Sequence, residues 1–447
     1  MPVDRRRPTV FPWERRRFLA LLAAAVPSAA AAGFQAPVQA PGGTPARDLA
    51  ARDLSARDLA ARVAELERAV RPAGRFAASL LVAADDAPPA VKDAADYVCD
   101  GVDDQEEINA ALEALSNDRS PAFGSQGGSV GLVGRSFSIS APIRLRAHCE
   151  VQGQGRMVTT LQATADLDGG EEQGVFELNS PDTQYTGVRG LGIHGGSDSS
   201  CSGIFYEQGR GTEWDASHLL SNLYIYRTGH HGVYLVNGPG DSRLRAGVLD
   251  TIRVIEAGRR VTRGASGYVI DSPDACIANC ESGLAAGHGF QLPNANTQLA
   301  NCKSWFSGRS ADGFGQGNGF HLDGHRISLV GCTAQDNYGH GYFIAGGDHS
   351  ISGAVADSNG YNGGGGSGRG TGYTGSGFYL RGRKGHPSTV QGTSFDRKYD
   401  GANVYQQYGV QFAEGAARVN LVLSVGRVAV QPVGGEVPPG SRVSLVS

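Results

Sequence analysis

The sequence predicts an all-β solenoid in which short strands stack coil upon coil, and three observations carry that reading. A four-residue phrase of glycine, aromatic, variable residue and aliphatic returns as GYVI at 267–270, GFQL at 289–292, GFHL at 319–322 and GYFI at 341–344. A cysteine follows three of those glycines at the same distance: Cys280 in IANCES, Cys302 in LANCKS and Cys332 in LVGCTA. Two markers held in phase define a structural repeat. Glycine supplies 66 of 447 residues, about twice the usual share, while helix-forming runs are rare beyond residue 117. That combination suits many short strands joined by tight turns.

The chain opens on a targeting segment. Glu14, three arginines, Phe18 and Leu19 precede an alanine-rich apolar run ending near Ala32. This resembles a twin-arginine export signal, with an ordinary secretory signal as the alternative. The run is too short for a durable membrane span, and no other stretch is long and apolar enough. An extracellular, periplasmic or cell-surface location follows. Residues 33–78 read as a Pro/Gly/Ala-rich linker and a low-complexity helical segment. In it Leu59, Val63, Leu66 and Val70 form a short coiled-coil-like seam that could support a homotrimer. The formal net charge is −4. The first 32 residues carry six Arg against Asp4 and Glu14, so the remainder is near −8. An acidic body argues against nucleic acid as partner, because phosphate binding needs a basic face.

The folded domain is expected over 79–447, with a cap at 79–117, coils over about 128–418 and a C-terminal cap at 419–447. Asp104 and Glu107 have capping-box spacing, and Ile108, Ala111, Leu112 and Leu115 make one apolar helical face. The order of an ADYVCDGVDDQ–EIN helix, a GLVGRSFSIS strand pair and a VQGQG turn resembles the opening of the right-handed parallel β-helix, or pectate-lyase-like, superfamily. The resemblance covers about residues 79–430. It implies a single-stranded right-handed parallel β-helix whose N-terminal end is plugged by a helix. It also implies a glycan substrate, since the superfamily hosts lyases, glycosidases, epimerases, fructotransferases and phage tailspikes.

The glycine marker continues through Gly174, Gly203, Gly232, Gly267, Gly289, Gly319, Gly341, Gly377 and Gly409. The shortest interval, 22 residues, is a bare coil, and longer ones carry loops. Cys280, Cys302 and Cys332 then occupy equivalent places and read as an interior column of small apolar side chains. No CxxC pair or HExxH suggests a metal site.

The same phase sorts side chains by face, because alternate residues of a strand point to opposite sides. The outward column of the marker strand reads Tyr234, Val269, Gln291, His321, Phe343, Tyr379 and Gln411. Two residues on come Val236, Asp271, Pro293, Asp323, Ala345, Arg381 and Ala413. Rings, amides and isolated carboxylates on one face suit sugar binding. Asp271 and Asp323 lie two coils apart, about 9–10 Å at the strand spacing of a sheet. That is near the upper edge of the separation of two carboxylates in an inverting glycosidase. Asp271, Asp323 and His321 are the candidate catalytic residues. Tyr234, Gln291, Phe343, Tyr379, Arg381, Trp305, Trp214 and Asp215 are the candidate sugar contacts. A second outward column of Tyr224, Arg253, Glu281, Lys303 and Thr333 offers a lyase alternative, with Arg253, Glu281 and Lys303 acting on a uronate. Calcium is expected only in that lyase reading, and otherwise no cofactor. Two GHG triplets, 287–289 and 339–341, fall on the marker and read as scaffold. NTD and DD motifs of polygalacturonases are missing before them. The expected function is hydrolysis or intramolecular transfer of a glycosidic bond, with a lyase or a non-catalytic, tailspike-like binding solenoid as alternatives.

Overall fold

The computed structural model describes residues 78–115, 127–178, 185–196, 198–208, 218–237, 247–259, 264–309, 317–360, 375–397 and 405–446. The export signal, linker and seam, together with Trp214 and Asp215, lie outside the described residues. Among the described residues every pairing between the strands is parallel, and the chain is a right-handed parallel β-helix.

A complete coil contributes three short strands. In the coil that starts at Gly289 these are Phe290–Leu292, Gln298–Ala300 and Lys303–Trp305, and the next coil repeats them as Phe320–Leu322, Ser328–Val330 and Thr333–Gln335. Among the described residues the first strands of successive coils form one sheet of eleven strands, here termed the marker sheet. Its register joins Phe205, Tyr234, Val269, Gln291, His321, Phe343, Tyr379 and Gln411 as direct neighbours, so the outward column read from the sequence is a physical column.

The variable-flanked aromatic of each phrase points inward. Tyr268, Phe290, Phe320, Tyr342 and Phe378 stack with ring centroids 4.5, 5.0, 5.0 and 4.8 Å apart, planes within 7°. The two tyrosines of this buried stack are satisfied by main-chain carbonyls, Tyr268 donating to Ile252 and Tyr342 to Cys332, as buried hydroxyls require. Cys280, Cys302 and Cys332 are buried free thiols stacked on one another's coils. The residue before each of them turns the corner in the left-handed region: Asn279, Asn301 and Gly331 at φ 55°, 54° and 65°. Asn and Gly are the residues that enter that region at least cost, which explains the ANC, ANC and VGC spellings.

The marker glycine has a steric cause. A Cβ placed on Gly232, Gly267, Gly289, Gly319, Gly341 or Gly377 would meet the carbonyl oxygen of the next marker glycine at 2.6, 2.9, 2.7, 2.6, 2.7 and 2.8 Å. At Gly289 it would also meet Ser304 Oγ at 2.0 Å. Gly289→Ala is therefore expected to lower unfolding free energy by about 1–3 kcal/mol, the usual cost of overpacking. A denaturation midpoint equal to that of the unaltered protein would contradict this.

Strands stand at both ends of the described solenoid. Ala78–Ala83 is a strand paired with Gly128–Val133, so the N-terminal segment supplies a rung as well as the helix Gln105–Leu115. That helix buries Ile108, Ala111, Leu112 and Leu115. The Asp104 carboxylate does not close a capping box: it accepts the amides of Gly101 and Ser138 at 2.9 and 2.7 Å and ties the helix to the strand Ser136–Ile139. At the other end, Val419–Val425, Gln431–Gly434 and Arg442–Val446 extend the parallel ladders as further rungs. The alternating VNLVLSV buries every second residue, the pattern of a strand with one face inward.

Candidate active site

The outer surface of the marker sheet is lined by three side-chain columns. The first holds the residue before each marker glycine: His231, Ser266, His288, Asn318, His340 and Ser376. The first five each accept the main-chain N–H of their equivalent on the next coil. Ser266 N–H donates to His231 Nδ1 (2.9 Å), His288 N–H to Ser266 Oγ (3.1 Å) and Asn318 N–H to His288 Nδ1 (3.0 Å). His340 N–H donates to Asn318 Oδ1 (2.9 Å) and Ser376 N–H to His340 Nδ1 (3.1 Å). The column holds the coils together, so both GHG histidines do have the scaffold role expected of them.

The remaining atom of each of these side chains turns to the second column, the outward residues. Ser266 Oγ donates to Gln291 Oε1 at 3.3 Å and Ser376 Oγ to Gln411 Oε1 at 2.6 Å. His340 stacks on Tyr379 at 4.5 Å, and Tyr379 on Phe343 at 5.2 Å. Phe343 packs on His321 at 4.5 Å and lies under the Arg381 guanidinium at 6.0 Å. Phe205 and Tyr234 make a separate ring pair at 5.6 Å. Val269 is buried between the two aromatic groups, where the sequence placed it facing outward. Ala345, in the third column, is likewise buried.

At His288 the same geometry produces a proton-ordered chain. Its Nδ1 is taken by the Asn318 amide, so in the neutral ring Nε2 carries the hydrogen. Nε2–H donates to His321 Nδ1 at 2.9 Å. His321 Nδ1 is then the acceptor, and the hydrogen on Nε2 is given to Asp323 Oδ2 at 2.9 Å. Neutrality of His288 follows from its surroundings: burial first, then His321, push its pKa down to about 3.

Asp323 and Asp271 lie in the third column in opposite environments. The hydrogen bond from His321 holds the Asp323 carboxyl below the usual carboxylate range, with Arg381 adding to the effect and partial burial opposing it. Burial raises Asp271, against which one hydrogen bond from Asn294 Nδ2 at 3.2 Å works. Register runs Val236 to Asp271 and Leu292 to Leu322, which leaves two rungs between the carboxylates, about 9–10 Å. Two carboxyls whose surroundings drive their proton affinities apart are suited to separate acid and base roles.

Several carboxylates were missed in the sequence. Glu207 precedes Val236 and Asp271 in the third column. Glu171 and Glu207 join Asp271 in pushing Tyr234 up to about 12, after burial. Glu171 comes from a short turn outside the repeat, so no phase rule could reach it. With His230 and His231 it makes a cluster of metal-ligand types. His231 Nδ1 accepts the Ser266 amide, however, so Nε2 keeps its hydrogen toward Glu171, 3.6 Å away. A nitrogen that retains its proton is not a metal ligand.

Trp305 is not on this face. Its strand belongs to another sheet, where its indole N–H donates to Glu281 Oε1 at 2.6 Å. Arg253, Glu281 and Lys303 are neighbours there, and Arg253 pairs with Glu281 at 3.2 Å. The alternative lyase column is thus built in part from an ion pair, and it lies on a different sheet from Asp271 and Asp323.

The parallel β-helix defines the class of the molecule by its fold. No protein-family model matches the chain, and no curated protein matches it. Among solved structures, the A-module of an Azotobacter vinelandii mannuronan C-5 epimerase is similar at 16% identity, over 78% of this chain and 96% of that one, with a TM-score of 0.51. The enzymatically active domain of tailspike protein 2 of bacteriophage CBA120 is similar at 14% identity, over 72% of this chain and 45% of that one, with a TM-score of 0.52. At these identities the likeness is one of fold.

Proposed function

We propose that the protein cleaves glycosidic bonds of a poly- or oligosaccharide by hydrolysis with inversion at the anomeric carbon. The observation that carries this reading is the contrast between Asp271 and Asp323 on one exposed column. Asp271, the carboxyl with the raised proton affinity, is the general acid that protonates the leaving oxygen. Asp323, kept ionised by His321, is the general base that takes a proton from water on the opposite side of the sugar ring. Tyr379, Phe343 and Tyr234 offer ring edges, and the two tyrosines their phenolic hydroxyls, to sugars, Gln291 and Gln411 read hydroxyls, and Arg381 sits beside the base. The mannuronan epimerase and the phage tailspike domain sharing the fold are in keeping with a glycan substrate. The acidic body favours a neutral glycan over a polyuronate.

In this reading the protein is exported through its N-terminal segment, and residues 46–70 could join three copies. Among the described residues no helix is long and apolar enough to cross a membrane. The mechanism needs no metal; calcium would belong to the lyase alternative that uses Arg253, Glu281 and Lys303.

Incubation with a panel of neutral and uronate glycans tests the proposal. New reducing ends whose first-formed anomer is inverted are expected, read by proton NMR within the first turnovers. Retained configuration would exclude a base acting through water. Release of an unsaturated, near-UV-absorbing product would select the lyase, and binding with no new ends would select a non-catalytic solenoid.

A further inference from the structure

We propose that His288 is a positioning residue for the reaction assigned above: through His321 it fixes the hydrogen that His321 presents to Asp323. The proposal rests on that functional reading for its kinetic consequence, but its geometry is independent of it.

A lone histidine beside a carboxylate can offer either nitrogen, and which one carries the hydrogen is set by the partner of the other. Here the choice is made two residues away and by the main chain. The Asn318 amide occupies His288 Nδ1, His288 Nε2–H therefore faces His321 Nδ1, and His321 Nε2–H faces Asp323. The Asn318 side-chain amide, whose oxygen is taken by the His340 N–H, turns its nitrogen to the same His321 Nδ1 at 3.5 Å. Two donors thus converge on that nitrogen and exclude a hydrogen from it. Without His288 only the longer Asn318 contact keeps a hydrogen off Nδ1, and the other tautomer, in which Nε2 has no hydrogen to give to Asp323, becomes accessible.

The repeat supplies the substitution that separates this role from the structural one. Asn318 stands at the position equivalent to His288 and accepts the next coil's amide through Oδ1. His288→Asn should therefore keep the coil-to-coil bond while removing the donor to His321. His340→Asn is the matched control: the same change at the same kind of position, where the ring meets Tyr379 and Phe343 and no carboxylate.

Two measurements are made on the full chain. In the first, the carboxyl of Asp323 is titrated by carbon-13 NMR, assigned through Asp323→Asn. The groups acting on it are His321 on its own strand, His288 one coil before and Arg381 two coils on. Loss of the His321 hydrogen bond raises its proton affinity, so His288→Asn should move the midpoint upward toward the ordinary carboxylate value, and His340→Asn should leave it unchanged. In the second, hydrolysis of a neutral glycan cleaved by the unaltered protein is followed against pH. His288→Asn should lower kcat by about tenfold to a hundredfold, the cost of a misplaced catalytic group, with KM little changed and the acid limb moved upward. His340→Asn should show neither change. Identical titrations for the two variants would overturn the proposal. An upward midpoint in His288→Asn, with no glycan cleaved by the unaltered protein, would uphold the positioning and reject the hydrolytic reading instead.

Discussion

Replacing Asp271 or Asp323 by asparagine is expected to reduce glycan turnover by about a hundredfold to ten-thousandfold, the range associated with loss of general acid or base catalysis. Neither change should disturb the fold much. Asp323 is exposed and Asp271 half-buried, and neither sits in the inner stack. The two variants should differ in one respect. Asp271 donates a proton to the leaving oxygen, so a substrate with a good leaving group should recover activity in Asp271→Asn. Asp323→Asn should not recover, because its defect lies in activating water. Azide, a nucleophile that needs no deprotonation, should rescue Asp323→Asn instead. Turnover at the unaltered rate in either variant would remove that residue from the mechanism, whatever glycan is used.

Acid is expected to destabilise the protein well before its carboxylates titrate as a group. His218, His340 and His349 are pushed down to about 4, and His231 and His288 to about 3, in each case chiefly by burial. An unfolded histidine protonates near pH 6.5. For a group whose folded pKa is depressed, the unfolded chain binds the extra proton, so stability is complete above about 6.5 and is lost as pH falls toward the folded value. Each such histidine contributes a slope of about 1.4 kcal/mol per pH unit in that window. Asp104, Glu107, Glu177, Asp271 and Asp396 have raised proton affinities and act in the opposite sense, but mainly nearer their unfolded values around pH 4. The melting temperature should therefore fall steeply from about pH 6.5 to 4.5. A flat profile there would mean that these rings are hydrated in solution. His349→Asn, outside the three columns of the candidate site, should flatten the slope by about one proton without altering turnover.

The architecture was readable because each marker has a local physical cause that leaves a trace in one-letter code. Glycine is forced by the carbonyl of the coil above, the following aromatic by the inner stack, and Asn or Gly before cysteine by the left-handed corner. The outward column followed from counting by two. The relay was harder to see, because its first member shares a position with Ser266, Asn318 and Ser376 and does the same structural work. The alternation Ser266, His288, Asn318, His340, Ser376 was present in the sequence, but only the side-chain rotamers decide which of them reaches a carboxylate. Trp305 was named as a sugar contact without a place in the phase; after the corner the chain is already on another sheet. Glu171 came from an insertion with no phase at all.

The column of amide acceptors also sets where the solenoid would split. Protonating His231, His288 or His340 at Nδ1 removes an acceptor from the next coil, whereas Ser266 and Asn318 cannot be silenced by acid. Weak seams therefore alternate with acid-proof ones, and the unit that separates under acid is a pair of coils. Amide hydrogen exchange at Asn318 should quicken as pH falls toward about 3, where His288 takes up its proton, after allowance for the intrinsic rate, while that at His340 stays protected. The bond that orders the hydrogens of the candidate site is thus also a fracture plane of the molecule.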